Sequence, residues 1–233
     1  MIYMKILGFQ KMTLLDYPGK VACTIFTGGC NFRCPFCHNA LLVTNTKDVQ
    51  EYTTEEILSF LEKRQGVLDG VCITGGEPLM NKEIFDFARQ IKALGFCIKL
   101  DTNGSFPDRL EKMIDEKLCD YVAMDIKNCK EKYPLTAGFD KLKIEDIDKS
   151  VQILLKNEVE YEFRTTVVKE LRTIQDIEEI AKWIDGAPRY FLQNFENSGN
   201  LIAEGYSAHS PQMLKIMKNA VSSILPKVEI RGV

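Results

Sequence analysis

The chain lacks the features that would carry it into or across a membrane. No apolar run in its 233 residues approaches the length of a membrane span. Residues 1–5 contain neither the long apolar stretch nor the cleavage site of a signal peptide. We therefore expect a cytoplasmic protein with no membrane partner. Thiols stay reduced in that compartment, so clustered cysteines there favour metal binding or catalysis over disulfides.

A strong excess of one charge and a flexible linker are also missing. The net charge is only −3, so no nucleic-acid partner is expected. No tract rich in proline, glycine or serine divides the chain, and no short repeat is present. A hydrophobic content of 45% over this length is enough for a full core. The sequence thus predicts one domain over residues 1–233, with an N-terminal segment 1–20 and a core 21–233.

Strand-like and helix-like segments alternate along the core about six times. Apolar, β-branched runs predict strands at 21–27, 71–74, 96–100, 121–124, 161–168 and 189–195, with a short last strand at 228–231. Helical periodicity predicts helices at 54–61, 81–94, 107–117, 145–157, 174–184 and 211–224. This α/β pattern predicts a parallel sheet with outer helices, as a partial (β/α)6 TIM-like barrel. A doubly wound sheet is the alternative that the sequence leaves open.

Three of the eight cysteines lie within eight residues, directly after the first predicted strand. Cys30, Cys34 and Cys37 have the spacing C-x3-C-x2-C. Three thiolates on one loop can face a single soft metal centre, and they are one short of the four protein ligands of a closed zinc or iron–sulfur site. Such a set leaves a corner open for a substrate or cofactor. The other five cysteines are scattered singly, and those in apolar runs are expected to act as small hydrophobic residues.

Four other interpretations of the cysteine loop stay open. Cys34 and Cys37 could form a thioredoxin-like redox pair, which leaves Cys30 unexplained, or attach a c-type haem together with His38. A Cys3His zinc site would need Cys37 and the adjacent His38 to turn to one ion. The three thiols could also simply be buried. Their glycine and asparagine neighbours are not typical of a core, so we favour the iron–sulfur interpretation.

Polar residues follow the ends of successive predicted strands, where parallel α/β folds bind their ligands. Taken singly, each has an ordinary structural explanation: Gly75 and Gly76 can form a turn, and Arg164 can be a surface residue with its neighbour Glu162. Together with the cysteine loop they indicate one site. The residues are Gly75, Gly76, Glu77, Asp101, Thr102, Asp125, Lys127, Arg164, Thr166 and Gln193.

Several motifs resemble those of known enzymes. The cysteine motif, with Phe36 before its last cysteine, and the motif Gly-Gly-Glu-Pro at 75–78 resemble the radical S-adenosylmethionine (SAM) superfamily. Within it the chain is most similar, over essentially its whole length, to the glycyl-radical-enzyme activating enzymes of the anaerobic ribonucleoside-triphosphate reductase and pyruvate formate-lyase type. The motifs that carry this closer resemblance are Asp-Tyr-Pro-Gly at 16–19, Cys-His-Asn at 37–39, Asp-Thr-Asn-Gly at 101–104 and Asp-Ile-Lys at 125–127.

The resemblance implies a set of cofactor contacts. A [4Fe–4S] cluster would be held by Cys30, Cys34 and Cys37, and its fourth iron would bind SAM. By resemblance, the methionyl amine would meet the backbone of Gly75, Gly76 and Glu77, and a small monovalent cation would lie at Asp101, Thr102 and Asp125. Lys127 and Arg164 would contact carboxylate or ribose, the segment with Phe36, His38 and Asn39 would contact adenine, and Asp16 would lie on the substrate side. Thr166 and Gln193 are expected to bind the cofactor because of their place on the last two strands of the site.

The implied activity is a radical reaction on a partner protein. SAM would be cleaved reductively to methionine and a 5′-deoxyadenosyl radical, which takes hydrogen from a glycine Cα of a glycyl radical enzyme, here expected to be the anaerobic ribonucleotide reductase. Flavodoxin or ferredoxin would supply the electron, and no residue is assigned as a general acid or base. Two alternatives stay open: a radical SAM enzyme acting on a small molecule, RNA or peptide, and a non-catalytic metal or electron-transfer protein.

Departures from the activase pattern concern two positions. Tyr17 replaces a glycine in the N-terminal motif, and Phe195 stands where the activase has a histidine that meets the nucleoside. Both changes leave the identity of the partner and the surroundings of the nucleoside open. The interval between His38 and Thr74 contains only Cys72, so the sequence predicts no inserted second cluster.

Overall fold

Eight strands form one sheet, and their order in the sheet follows their order in the chain. The computed structural model describes residues 4–44, 49–197 and 199–232. Residues 1–3, which belong to the N-terminal segment considered above for a signal peptide, lie outside the described residues. The strands are β1 (Ile6–Thr13), β2 (Ala22–Thr27), β3 (Gly70–Gly75), β4 (Cys97–Thr102), β5 (Tyr121–Asp125), β6 (Glu160–Val167), β7 (Tyr190–Asn194) and β8 (Val228–Arg231). β1 is antiparallel to β2, and every later neighbour is parallel.

Helices connect the parallel strands. α1 (Ala40–Thr44) and α2 (Thr54–Glu62) follow β2, α3 (Ile84–Ala93) follows β3 and a short 3₁₀ turn (Pro78–Met80), and α4 (Pro107–Asp115) follows β4. α5 (Tyr133–Ala137) and α6 (Ile144–Leu155) follow β5, α7 (Ile174–Trp183) follows β6, and α8 (Pro211–Val221) follows β7. No α-helix among the described residues is both long and apolar enough to cross a bilayer.

The strand order decides between the two predicted sheets. A doubly wound sheet reverses its order at a switch point, whereas here each new parallel strand adds to the same edge. β1 and β8 form the two edges of the sheet. The prediction of a partial (β/α)6 barrel with outer helices, running from β2 to α8, is therefore confirmed.

The N-terminal segment contributes a strand that the sequence did not predict. β1 pairs with β2, but its register shifts between Ile6 and Gly8 and again between Gln10 and Thr13. Such irregularities interrupt the alternation of inward and outward side chains by which a strand is recognised. The short helices α1 and α5 also lie in stretches where no helix was predicted.

Alternate residues of the strands face two different environments. One set, which includes Ile73, Leu100 and Phe163, is fully buried in the main apolar core that the outer helices share. The opposite set faces the interior of the barrel and is polar over much of its length; Asp101 and Arg164 belong to it. The interior therefore carries charged side chains toward the carboxyl ends of the strands, where the predicted site lies.

Candidate functional site

The cysteine loop after β2 is held in place by main-chain hydrogen bonds to three other parts of the chain. Arg33 N donates to Ala137 O at 2.8 Å, Glu77 N donates to Gly29 O at 2.9 Å, and Ala203 N donates to Pro35 O at 2.9 Å. The loop is thus fixed by the segments that follow β3, β5 and β7. Its three cysteines face a common cavity at the carboxyl ends of the strands.

The two glycines after β3 allow the cysteine loop to approach closely. A Cβ atom on Gly76 would lie 1.8 Å from the carbonyl oxygen of Gly29, which no side chain tolerates. Gly75 has φ +108°, a conformation that L side chains rarely adopt. The side chain of Asn39 then donates from Nδ2 to Gly75 O at 2.8 Å. These glycines therefore seat the cysteine loop against β3, in addition to bordering the cavity.

The surroundings of the three sulfurs test whether an iron–sulfur cluster fits. Burial raises the pKa of Cys30 to about 12 and also raises the pKa of Cys34 and Cys37. The thiols therefore need a nearby cationic centre to ionise. Cys30 Sγ also accepts from Phe32 N at 3.4 Å and from Asn103 Nδ2 at 3.7 Å, as cluster sulfurs commonly do.

A mononuclear site fits less well. Among residues 4–44, 49–197 and 199–232, no group of three or more histidine, cysteine, aspartate or glutamate side chains is arranged around a point where one metal ion could sit. A cubane cluster does not require such convergence, because each of its irons takes one thiolate. Three soft ligands with no fourth protein ligand therefore fit a [4Fe–4S] cluster with an open iron better than a Cys3His zinc site.

The cavity gathers nearly every residue that the sequence assigned to the site. Its lining also includes Phe32, Val43, Thr74 and Asn103, which were not assigned; Asn103 lies within the Asp-Thr-Asn-Gly motif, which could have indicated it. Glu77 and Asp16 are the two assigned residues outside this lining. The assigned residues that line the cavity are Cys30, Cys34, Phe36, Cys37, His38, Asn39, Gly75, Gly76, Asp101, Thr102, Asp125, Lys127, Arg164, Thr166 and Gln193.

The Glu77 side chain is fully buried and joins two loops. Its carboxylate accepts hydrogen bonds from Leu79 N at 3.0 Å, from Thr102 Oγ1 at 2.9 Å and from Asn103 N at 2.7 Å. Burial raises the pKa of Glu77 to about 7, against the opposing effect of these three donors. The side chain therefore links the loop after β3 to the loop after β4. The Thr102 hydroxyl proton is used in its hydrogen bond to Glu77.

A buried charge network crosses the barrel interior beside the cavity. Arg164 donates from Nε to Asp125 Oδ1 at 2.9 Å and from Nη1 to Asp101 Oδ2 at 3.1 Å. Lys99 pairs with Asp101, and Lys127 Nζ lies 3.0 Å from Asp125 Oδ2. Burial raises the pKa of both carboxyl groups, but Arg164 and the lysines outweigh it: the pKa of Asp101 falls, and that of Asp125 falls to about 2.

Two expectations about Arg164 and its carboxylates are changed by this network. The alternative that Arg164 lies on the surface with Glu162 is wrong, because Arg164 is largely buried between two aspartates and Glu162 is buried against Arg231 and Tyr121. The resemblance implies a small cation at Asp101, Thr102 and Asp125, but the structure places the Arg164 guanidinium between the two carboxylates. Arg164 supplies the balancing charge here, and the cation site stays a prediction.

An aromatic and polar wall closes the other side of the cavity. The His38 ring meets the Phe195 ring edge to face, with centroids 5.5 Å apart and an angle of 81°. Burial lowers the pKa of His38, which favours its neutral form. Thr166 on β6 and Gln193 on β7 reach the same wall. Phe195, whose role the sequence left open, therefore packs against the His38 ring.

Asp16 and Tyr17 lie deeper in the barrel interior than the cavity. Asp16 accepts a hydrogen bond from Thr24 Oγ1 in the middle of β2. Tyr17 is buried, and its ring centroid lies 6.1 Å from that of Tyr121 at the start of β5. The substrate-side place of Asp16 stays a prediction, and Tyr17 fills the amino end of the barrel.

The family follows from a comparison with known proteins. Residues 24–184 match the Radical SAM superfamily. The chain belongs to this superfamily. Radical SAM enzymes use a [4Fe–4S] cluster and SAM, so the predictions of the superfamily, of an enzyme and of these two cofactors are confirmed.

Two relatives are similar to this radical SAM chain over most of its length. A Methanocaldococcus jannaschii protein, provisionally named as a glycyl-radical enzyme activating enzyme, is 37% identical over 193 residues, which span 81% of this chain and 79% of that protein. The pyruvate formate-lyase-activating enzyme of Clostridium pasteurianum is 28% identical over 206 residues, or 85% of each chain.

Solved structures with low sequence identity share the fold. Streptococcus suis SuiB, bound to its precursor peptide SuiA, has a TM-score of 0.71 at 14% identity over 90% of this chain and 48% of its own. A domain of the pyruvate-formate lyase-activating enzyme of Bacteroides vulgatus has a TM-score of 0.58 at 16% identity over 70% of this chain and 99% of that domain. SuiB has also been solved with SAM bound.

Proposed function

We propose that this radical SAM enzyme activates a glycyl radical enzyme by removing a hydrogen atom from a glycine of that partner. The observation that carries the proposal is the 37% identity to the Methanocaldococcus jannaschii protein over most of both chains. The match to the Clostridium pasteurianum activating enzyme supports the same activity. The first partner to test is an anaerobic ribonucleotide reductase, since the motifs at 16–19, 37–39, 101–104 and 125–127 resemble its activating proteins.

Cys30, Cys34 and Cys37 would hold the cluster in this proposal, with the fourth iron open toward the cavity. When bound, the cluster and SAM supply a one-electron reductive cleavage that yields a hydrogen-abstracting radical. The chain contributes the position of these groups and the exclusion of water. Cys34 is buried, and Cys30 and Cys37 are partly buried, which protects the cluster while leaving an edge near the surface for a flavodoxin or ferredoxin.

The charge balance of the cavity suits a ligand that carries a carboxylate. In the network beside the cavity, two aspartates carry two negative charges and three basic side chains carry three positive charges, so one positive charge is in excess. These residues are Asp101, Asp125, Lys99, Lys127 and Arg164. The methionyl carboxylate of SAM would complete this balance at Lys127 or Arg164. The methionyl amine would meet the backbone at Gly75, Gly76 and Glu77, because the Glu77 side chain is engaged elsewhere.

The nucleoside end of SAM would lie along the opposite wall. The Phe36–Asn39 backbone and the His38 ring, backed by Phe195, offer a flat surface to the adenine. Thr166 and Gln193 present polar groups to the ribose from β6 and β7. Because Asp101 and Asp125 are held ionised by cationic partners, no group in the cavity is assigned to proton transfer.

Mixing the anaerobically reconstituted protein with a glycyl radical enzyme, SAM and a low-potential reductant tests the proposal. The candidates are glycyl radical enzymes from the same genome, the anaerobic ribonucleotide reductase first. We expect a glycyl doublet in the EPR spectrum. The variant Cys34→Ala should give none, and Cys119→Ala, which removes another buried thiol just before the start of β5, should give the wild-type signal.

Two outcomes separate the proposal from its alternatives. If SAM is cleaved but no candidate acquires the doublet, the activase proposal fails, and a small molecule, RNA or peptide becomes the substrate to search for. If a stable cluster forms but SAM is neither bound nor cleaved, catalysis itself is excluded.

A further inference from the structure

Arg172 is the largest fully buried side chain of the described residues, and it is a cation without an acidic partner. Only 1% of its surface is exposed. Nη2 donates to the carbonyl oxygen of Lys127, while Nε and Nη1 have no hydrogen-bond partner. Burying a guanidinium in this way is unfavourable unless an opposite charge is brought close to it. The cation therefore points to a negatively charged group that the polypeptide alone does not supply.

The acidic residues that flank Arg172 in sequence are engaged elsewhere. Glu170 accepts hydrogen bonds from Ser207, and Asp176 accepts from Thr173 and pairs with Lys132. Burial lowers the pKa of Arg172 to about 10, as expected for a charge that lacks a counter-ion.

The guanidinium contacts the cysteine loop through Phe36. Its central carbon lies 4.7 Å from the centroid of the Phe36 ring, and Phe36 stands between Cys34 and Cys37 in the chain. Cys34 is close enough to Arg172 for the two charges to interact, and Phe36 and Lys127, which the guanidinium contacts, line the same cavity as the three cysteines. A three-thiolate iron–sulfur cluster is anionic, and its charge is spread over several sulfurs, so it can interact with a planar cation without a single fixed acceptor.

Hydrogen bonds fix the main chain of Arg172, and its side chain is buried. Arg172 N donates to Val168 O at 3.1 Å, and His209 Nε2 lies 3.3 Å from Arg172 O. Thr173 directly follows and caps α7 through a reciprocal pair of hydrogen bonds with Asp176. The main chain is therefore held in place in the connection between β6 and α7, and the side chain is bound to the carbonyl oxygen of Lys127.

Lys127 provides the contrast that singles out Arg172. Both cations lie near Cys34, but Lys127 has a carboxylate partner, Asp125, at 3.0 Å. The charge of Arg172 is not balanced by any such pair. If Arg172 served only to bind the carbonyl oxygen of Lys127, it would need just one of the N–H groups of its guanidinium.

We propose that Arg172 is the counter-charge of the cluster at its Cys34 edge and raises the one-electron reduction potential of that cluster. The reduction adds one electron from an external low-potential donor, which is oxidised, and no bond is formed or broken. The reduced cluster is one unit more negative than the oxidised one, so a nearby buried cation stabilises the reduced form more. Arg172 is thus a positioning residue that acts through the cluster. The inference rests on the proposed cluster ligands, and it does not depend on the proposed partner.

Potentiometric titration of the reconstituted cluster, monitored by EPR without SAM, tests the inference. Arg172→Met should lower the equilibrium constant for reduction at least tenfold, which corresponds to a potential about 59 mV more negative for one electron. Arg172→Lys keeps the charge and should stay within threefold of wild type. Arg64→Met is the matched control, because Arg64 also stacks on a phenylalanine, Phe60, at 5.2 Å but is exposed. It should leave the potential unchanged.

Iron and sulfide content per chain and thermal unfolding accompany each titration. If Arg172→Met does not take up the iron–sulfur cluster, Arg172→Gln replaces it, and the same tenfold decrease in the equilibrium constant for reduction is expected. If both neutral variants fail to load while Arg172→Lys loads, the requirement for charge is supported. An unchanged potential in a fully loaded neutral variant overturns the inference, as does failure of all three variants, lysine included. A wild-type chain that binds no [4Fe–4S] cluster overturns the ligand assignment as well, which distinguishes the two failures.

Discussion

Replacing Arg164 by methionine removes the guanidinium that joins Asp101 on β4 to Asp125 on β5. The side chains of Arg164, Asp101 and Asp125 are 12%, 14% and 30% exposed, so the two ion pairs are largely shielded from water. Removing one partner of a buried pair destabilises a protein by about 3–5 kcal/mol. Each carboxylate keeps one lysine partner, and Asp125 is partly exposed, so we expect the lower end, about 3 kcal/mol.

Urea unfolding of the cluster-free chain at pH 7 measures this effect, as a lower midpoint with an unchanged slope. The loss in the double variant Arg164→Met/Asp125→Asn should be smaller than the sum of the two single losses by about 1 kcal/mol, because Arg164 and Asp125 are in direct contact. Arg189→Met is the control: its pair with Glu160 is exposed at 43% and 70%, and we expect a change below about 1 kcal/mol. An Arg164→Met variant within about 0.5 kcal/mol of wild type would refute the idea that this arginine organises the network.

Three further predictions follow from the loops and the carboxylates. Glu77→Gln should lower the free energy of unfolding by about 1–3 kcal/mol in urea, because the glutamine amide has one acceptor oxygen for three buried donors and leaves at least one N–H unpaired. Gly76→Ala should lower the iron and sulfide content after reconstitution, because its Cβ would collide with Gly29 O; a fully loaded variant would contradict this. The pKa of Asp125 falls from 3.8 to about 2 on folding, so the ionised side chain contributes about 2 kcal/mol to the free energy of unfolding. This contribution should be complete above about pH 4 and be lost as the pH falls toward 2. Asp125→Asn should lack this part of the acid dependence of stability.

Much of the cavity could be predicted because its residues follow strand ends. The order of strands in a parallel barrel matches the order in the chain, so Asp101, Asp125 and Arg164 converge wherever the alternation of strands and helices is recognised. The cysteine spacing and the two glycines added a local signal that does not depend on tertiary structure. The fold class and most of the cavity lining could therefore be predicted from the sequence.

The features that were not predicted depend on contacts between distant segments. Whether Arg164 lies on the surface beside Glu162 or pairs with the two aspartates cannot be decided from sequence, since Asp101 and Asp125 lie on other strands and meet Arg164 only once the sheet has formed. Arg172 lies in a connection between strand and helix, where an arginine is normally solvated, and only the packing of the cysteine loop shows that it is buried. β1 was missed because its register shifts disrupt its alternation.

The central claim is that Cys30, Cys34 and Cys37 hold a [4Fe–4S] cluster with one iron left open for SAM. EPR spectroscopy of the anaerobically reconstituted and reduced protein, recorded before and after adding SAM, tests it most directly. The account predicts a reduced four-iron signal that changes when SAM is added, and the loss of that signal in Cys34→Ala. A signal that is indifferent to SAM, or a cluster that survives unchanged without Cys34, would contradict it.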